Sequence, residues 1–188
     1  MGLFYTVNDK ELLNLRNKIF VEKCIPILYL NGFERAPFTT AWFGRNNIGG
    51  FSYYFCRLSE QSILQNIYVH ISKGDKWIKL YLNIFELHPL VERMEQLQAT
   101  GGLQYFLPPN NISEMRLPDY NIPPILQYRF WLNQHKVGWY FTKNGLVTEI
   151  DKLSEIINKD IITLDRQIAR WNNKFKVNLV DWEGNRVA

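Results

Sequence analysis

Cysteine is scarce in this chain: Cys24 and Cys56 are its only two, among 188 residues. Two isolated cysteines cannot build a disulfide framework, so a reducing compartment is expected and the fold must stand on its apolar core. Long apolar runs are absent too. No stretch approaches the roughly 18 residues of a membrane span. The N-terminal MGLFYTVNDKE lacks a basic region followed by an apolar one, which speaks against a secretory signal. A cytoplasmic protein with no membrane partner is the expectation. Charge of one sign is not concentrated anywhere. The 22 Lys and Arg against 18 Asp and Glu leave a net +4, scattered without a block of five or six. Such a small excess is ordinary for a soluble domain and only mildly favours an anionic partner. The phosphate-binding loop, the dinucleotide fingerprint, HExxH, CxxC and GxSxG are all missing. With them go the usual signatures of catalytic, metal and cofactor sites, and none of the three is expected. Alanine is sparse while asparagine and isoleucine abound, a habit of AT-rich genomes that suggests a bacterial source.

What the chain does have is apolar and aromatic mass, 46% and 15% of residues. That is enough for a sizeable core and argues against disorder. The most legible stretch is residues 65–87, QNIYVHISKGDKWIKLYLNIFEL. With Gly74-Asp75 as the turn of a β-hairpin, Ile71 faces Ile78, Val69 faces Leu80 and Ile67 faces Leu82. One face is then wholly apolar. The other pairs Ser72 with Trp77, His70 with Lys79, Tyr68 with Tyr81 and Asn66 with Asn83. A slip of one residue would mix the two faces, so the register is strongly specified.

The rest of the chain falls into place around this hairpin. Asn8 caps a helix in which Glu11 takes the third position and Leu12, Leu15 and Ile19 form an apolar stripe. Pro26 should kink or restart it, and Asn31-Gly32-Phe33 should stop it. Residues 38–43 (FTTAWF) read as a strand, 44–50 as a glycine-rich turn, and 51–58 as a strand with Phe51, Tyr53 and Phe55 on one side. Residues 38–87 thus form a four-stranded antiparallel meander. His88-Pro89 ends the sheet and should open a short helix whose apolar face is Leu90, Val91, Met94 and Leu97. Residues 103–124 hold five prolines. They form one long irregular loop or a boundary between two lobes. Residues 128–133 and 137–141 read as a second hairpin, with an exposed polar loop at 133–136. Residues 148–171 form an amphipathic helix, capped by Thr148 with Asp151. It carries Ile150, Leu153, Ile157, Ile161, Leu164, Ile168 and Trp171 on one stripe, and Asn158-Lys159-Asp160 could split it. The tail FKVNLVDW should add an edge strand. The expected fold is one α+β domain over residues 1–188: an antiparallel sheet, meander plus second hairpin, with N- and C-terminal amphipathic helices packed on one face.

Candidate sites are few. The three histidines do not cluster: His88 reads as a helix-entry residue and His135 as a solvated turn residue. Cys24 and Cys56 read as buried and structural. Arg45 and its glycines join two strands with no helix behind them, so they read as a hairpin loop and not as a phosphate cradle. The mixed second face of the sheet carries more. Tyr54, Tyr68, Trp77 and Tyr81 should share it, with His70, Lys79 and Arg57 near its edge. Such rings serve as protein-interface anchors. With cations beside them they also serve as stacking platforms for single-stranded nucleic acid. In the plainer alternative the C-terminal helix lies across this face and buries the rings.

Residues 28–33 (LYLNGF), the meander over 51–87 and the helix over 148–171 follow an order of elements similar to small bacterial α+β domains of the immunity-protein kind. The resemblance implies a protein that neutralises a protein toxin. The missing catalytic signatures and the need to bury the terminal helix in the core add the expectation of a non-catalytic, monomeric protein-binding domain. It carries over no functional residue. The basic charge of this chain argues against a nuclease as that toxin. A nucleic-acid-binding module is the alternative, and an enzyme of unidentified type the third reading.

Overall fold

The computed structural model describes residues 5–59, 62–101, 135–174 and 176–187. Helix α1, Asp9–Ile19, begins where Asn8 Oδ1 accepts the Glu11 amide at 2.8 Å. A π-turn, Phe20–Cys24, then leads into α2, Ile25–Leu30. Pro26 explains the wide turn: it has no amide to donate, and its ring crowds the carbonyl four residues back. Helix α2 stops as the NGF sequence implies. Gly32 takes φ +77°, the Gly32 amide donates to Tyr29 O, and the Phe33 amide donates to Leu28 O. This is the paired C-terminal cap that a left-handed glycine permits.

Among the described residues the sheet has six strands: β1 Glu34–Arg35, β2 Phe43–Arg45, β3 Phe51–Ser59, β4 Ile63–Ile71, β5 Lys79–Leu87 and β6 Asn178–Val180. Strands β3, β4 and β5 form its antiparallel centre. β1 and β2 both lie against β3, and β6 runs parallel to β5 at the other edge. The hairpin register read from the sequence is the one observed, with Ile67 opposite Leu82, Val69 opposite Leu80, Tyr68 opposite Tyr81 and His70 opposite Lys79. The tail contributes β6, as expected.

Two helices follow the undescribed stretch, α3 Lys143–Ile162 and α4 Leu164–Lys174. Leu146, Ile150, Leu153, Ile157, Ile161, Leu164, Ile168 and Trp171 are all buried. They join one apolar cluster with Leu12, Leu13, Phe20 and Leu28 of the N-terminal helices and with Tyr53, Phe55, Ile67, Val69, Ile71, Ile78, Leu80, Leu82 and Ile84 of the sheet. The six aliphatic residues predicted to share a face therefore lie in this core. A second, smaller cluster sits on the other face: Ala36, Phe38, Cys56, Leu64, Phe85, Leu87, Val91, Leu97 and Val180.

Several expectations need correction. The hairpin does not close through a tight two-residue turn. Its ladder ends at His70–Lys79, and residues 72–78 open into a wider loop, so Ser72 and Trp77 do not pair. The cause is Arg16, fully buried in the mouth of the loop, which donates to Ser72 O, Trp77 O and Asp75 Oδ1. Trp77 instead bridges Lys136. Residues 38–42 are not strand: Thr39 and Thr40 make a turn tied to the carbonyls of Thr100 and Gly101, and β2 starts only at Phe43. Pro89 opens no helix. The first regular turn is a 3-10 turn at Met94–Leu97, held by Gln96 Oε1 accepting the Glu92 and Arg93 amides, and Leu90 is exposed.

Residues 128–133 of the expected second hairpin lie outside the described residues, and residues 137–140 carry no strand. Within the loop expected to be exposed, His135 is buried, with Nε2 2.7 Å from Asp160 Oδ2 and its carbonyl accepting the Ile78 amide. Asp160 on α3, far along the chain, supplies the partner that local sequence could not show. The terminal helix starts earlier than expected. Thr142 caps it by accepting the Gly145 amide, and Thr148 lies inside the helix, donating to Asn144 O. It breaks at Thr163 and not at residues 158–160.

Candidate functional site

The second face of the sheet is assembled by register alone. Antiparallel pairing sets Tyr54 opposite Tyr68 and Tyr68 opposite Tyr81, across the three central strands. Alternation along each strand sends all three to the same side. The rings stack in sequence, with centroids 4.6 Å apart at 25° and then 5.6 Å apart at 20°. All three tyrosines are half-buried, and burial raises the Tyr54 hydroxyl well above its ordinary value, with the neighbouring Tyr68 adding to the effect. The terminal helices do not cover this face, since their stripe belongs to the cluster on the opposite side. The alternative in which the C-terminal helix buries the rings is therefore overturned.

One end of the stack meets the smaller apolar cluster, where Asn66 and Asn83 face each other across the ladder, both buried, each with an unpartnered Oδ1. The other end is polar. His70 Nδ1 lies 3.1 Å from the Tyr68 hydroxyl and 3.2 Å from Ser52 Oγ, and its Nε2 lies 2.7 Å from Ser72 Oγ. Burial, reinforced by Lys79 across the ladder and opposed by Asp75, holds the His70 pKa below its ordinary value. The imidazole is thus neutral near pH 7 and joins a network of hydroxyls.

A depressed histidine pKa means that the unfolded chain binds the proton more readily. The contribution of His70 to stability is then complete above the ordinary value of about 6.5. It falls as pH drops through that value towards the lower folded pKa. Thermal melts of the native chain should lose stability below about pH 6.5 more steeply than those of His70→Gln. An NMR titration midpoint for His70 at or above that value would contradict the assignment.

The residues expected to form the site do not all meet. Tyr54, Tyr68, His70, Lys79 and Tyr81 share the face. Arg57 does not: it lies on the helix side, donating to Gln65, to Asn31 O and, at 2.5 Å, to Asp165, with its guanidinium 4.7 Å from the centre of the Phe33 ring. Odd-numbered positions of β3 point to that side, a parity that the sequence already contained. Trp77 leaves the ladder for its bridge to Lys136, and the Lys136 ammonium lies 5.2 Å from the centre of its ring. Lys79 is shared with Asp75 at 3.4 Å. Sequence reasoning missed Ser52, and it placed Ser72 on this face without counting it in the site. The His70-x-Ser72 spacing carried the signal for the second, because alternate residues of a strand share a face.

Both cysteines are fully buried, and burial pushes the Cys24 thiol up to about 12 and the Cys56 thiol higher still. Neither is a thiolate near neutral pH, so both act as core residues. Among the described residues no group of three His, Cys, Asp or Glu stands close enough to hold a metal ion. No helix among them is long and apolar enough to cross a membrane. No protein-family model, no curated protein and no solved structure matches this chain.

Proposed function

We propose that this chain is a non-catalytic, single-domain α+β protein whose second sheet face binds another protein. The stack of Tyr54, Tyr68 and Tyr81 across three central strands, on the face away from the helices, carries the reading. Tyrosine offers a large rigid contact surface with one polar handle, and few rotamers are lost on docking. A toxin-neutralising role in the cytoplasm, with the protein acting as a monomer, is the more specific form. It rests on the order of elements alone.

The charges speak against nucleic acid on this face. That reading asks Arg57 and Lys79 to meet phosphates beside the rings. Arg57 lies on the opposite face against Asp165, and Lys79 shares Asp75. A phosphate binder loses affinity steeply as salt rises, whereas a ring-anchored protein interface does not.

Affinity capture from the host at low and high salt separates the two, with Tyr68→Ala as the variant. The expected result is a protein retained at both salts by the native chain. Tyr68→Ala should weaken its retention by about tenfold or more, the scale of one interface anchor. Gel shifts with single- and double-stranded nucleic acid at low salt should stay flat. A salt-sensitive shift would overturn the reading.

One arrangement favours a second reading. Ser72 Oγ against His70 Nε2, with Tyr68 and Ser52 at Nδ1, has the outline of a nucleophile, a base and its orienting groups. Covalent labelling of Ser72 by a fluorophosphonate, abolished in His70→Gln, would establish a hydrolase in place of a binding protein.

A further inference from the structure

The hairpin loop and residues 135–141 build a second surface, distinct from the tyrosine face. The Val137 amide donates to Lys76 O and the Ile78 amide to His135 O, both at 2.9 Å, around the Trp77–Lys136 bridge. This seam lays lysines on rings. The Lys76 ammonium lies 5.4 Å from the centre of the Trp139 ring and 5.3 Å from that of Tyr140, and Lys136 lies 5.2 Å from that of Trp77. Trp139 is 80% exposed and Phe141 61%. Lys73 in the hairpin turn and Lys143 at the start of α3 are exposed as well. Among the described residues none of these four lysines has a carboxylate partner. Asp75 pairs with Arg16 and Lys79, and Glu149, beside Gly138, with Lys152.

An indole left in water beside ammonium groups that have no carboxylate partner among the described residues is a surface that gains on being covered. We infer that it docks an acidic segment of a protein partner, whose carboxylates meet Lys76 and Lys136 while an apolar side chain covers Trp139. The inference rests on the protein-binding reading above and adds the charge of the partner. The ring faces decide among anionic partners. Nucleic-acid bases stack on aromatic faces, and here an ammonium already lies over one face of each of the Trp77, Trp139 and Tyr140 rings. A lipid interface takes aromatic rings with cations snorkelling to the polar side, whereas these cations would be carried in with the rings. A carboxylate meets each ammonium where it stands, and the cation–π contact holds the lysine in place beforehand.

The test titrates the full chain with a fluorescent, unstructured peptide in which leucines interrupt runs of aspartate and glutamate. Phosphatidylserine vesicles and single-stranded oligothymidine are titrated in parallel. Saturable peptide binding that changes tryptophan emission and weakens with salt is expected. Trp139→Ala, and Lys76→Glu combined with Lys136→Glu, should each weaken it by about tenfold or more. These side chains lie at the surface, and unchanged circular dichroism verifies that the variants fold. Absence of peptide binding, equal binding by the variants, or tighter binding of vesicles or oligothymidine would overturn the inference. Tyr68→Ala should leave peptide binding unchanged. Failure at this surface is thereby distinguished from failure of the tyrosine face, which the capture experiment reads separately.

Discussion

A chain that ends before Thr142 is expected to be insoluble or unfolded. The truncation removes α3, α4 and β6, and with them Leu146, Ile150, Leu153, Ile157, Ile161, Leu164, Ile168 and Trp171, each no more than 6% exposed. It also uncovers Leu12, Leu13, Phe20 and Leu28 and the aliphatic face of the sheet, which share their cluster. Burying one large apolar side chain is worth about 1.5–3 kcal/mol, so the helices contribute on the order of 10 kcal/mol. That matches the whole stability of an ordinary domain, about 5–15 kcal/mol. The full chain, with this stripe covered by its own sheet, should be monomeric. Circular dichroism on the truncation and light scattering on the full chain decide the matter. A soluble, cooperatively folded truncation would sink the single-core account.

Arg16→Ala should cost about 3–5 kcal/mol, the range for removing one partner of a buried ion pair. Arg16 is fully buried, and burial lowers its pKa against the opposing pull of Asp75. Its guanidinium donates to Asp75 Oδ1 at 2.8 Å, to Trp77 O at 2.6 Å and to Ser72 O at 2.8 Å, and its Nε to Leu12 O at 3.3 Å. Removing it strands the carbonyls of Ser72 and Trp77 in the hairpin mouth and leaves the Asp75 carboxylate with Lys79 and the Trp77 amide. Arg16→Lys should recover less than half of the loss, because an ammonium cannot reproduce the planar fork. Asp75→Asn should be milder, since its side-chain oxygen can still accept the Trp77 amide that Asp75 now accepts at 3.0 Å. Urea melts at neutral pH give the three values. The same guanidinium holds the loop open for the Trp77–Lys136 bridge, so tryptophan emission should change in Arg16→Ala before the chain unfolds. A loss below about 1 kcal/mol, the scale of a surface pair, would mean that the loop keeps its shape without Arg16.

Local rules carried the reading furthest where one pattern had one solution. Alternation of apolar residues on both arms of the hairpin left a single register that kept the faces apart, and that register is observed. Asn8 and the NGF stop are short-range devices whose partners lie within a few residues. The seven-residue stripe over 150–171 was legible for the same reason, although its cap and its break were each displaced by a few residues. Helix ends depend on which hydroxyl reaches an amide first, and Thr142 and Thr148 are both competent in sequence.

The tertiary structure decided whatever depends on partners distant in the chain. Arg16 is an unremarkable helical cation until 56 to 61 residues separate it from the groups it binds. His135 is a polar residue in a polar loop until Asp160 comes within 2.7 Å. The sequence by itself determined which side chains share a face, the hairpin register, the helix stop and the burial of both cysteines, because periodicity and φ preference act within a few residues. Which face the helices would cover, which distant groups Arg57 would bind and how Trp77 would leave its ladder for Lys136 were settled only on folding. The first turns on burying the apolar stripe against the aliphatic face of the sheet, the others on pairing a charge or an open backbone group with a partner that chain order does not bring near.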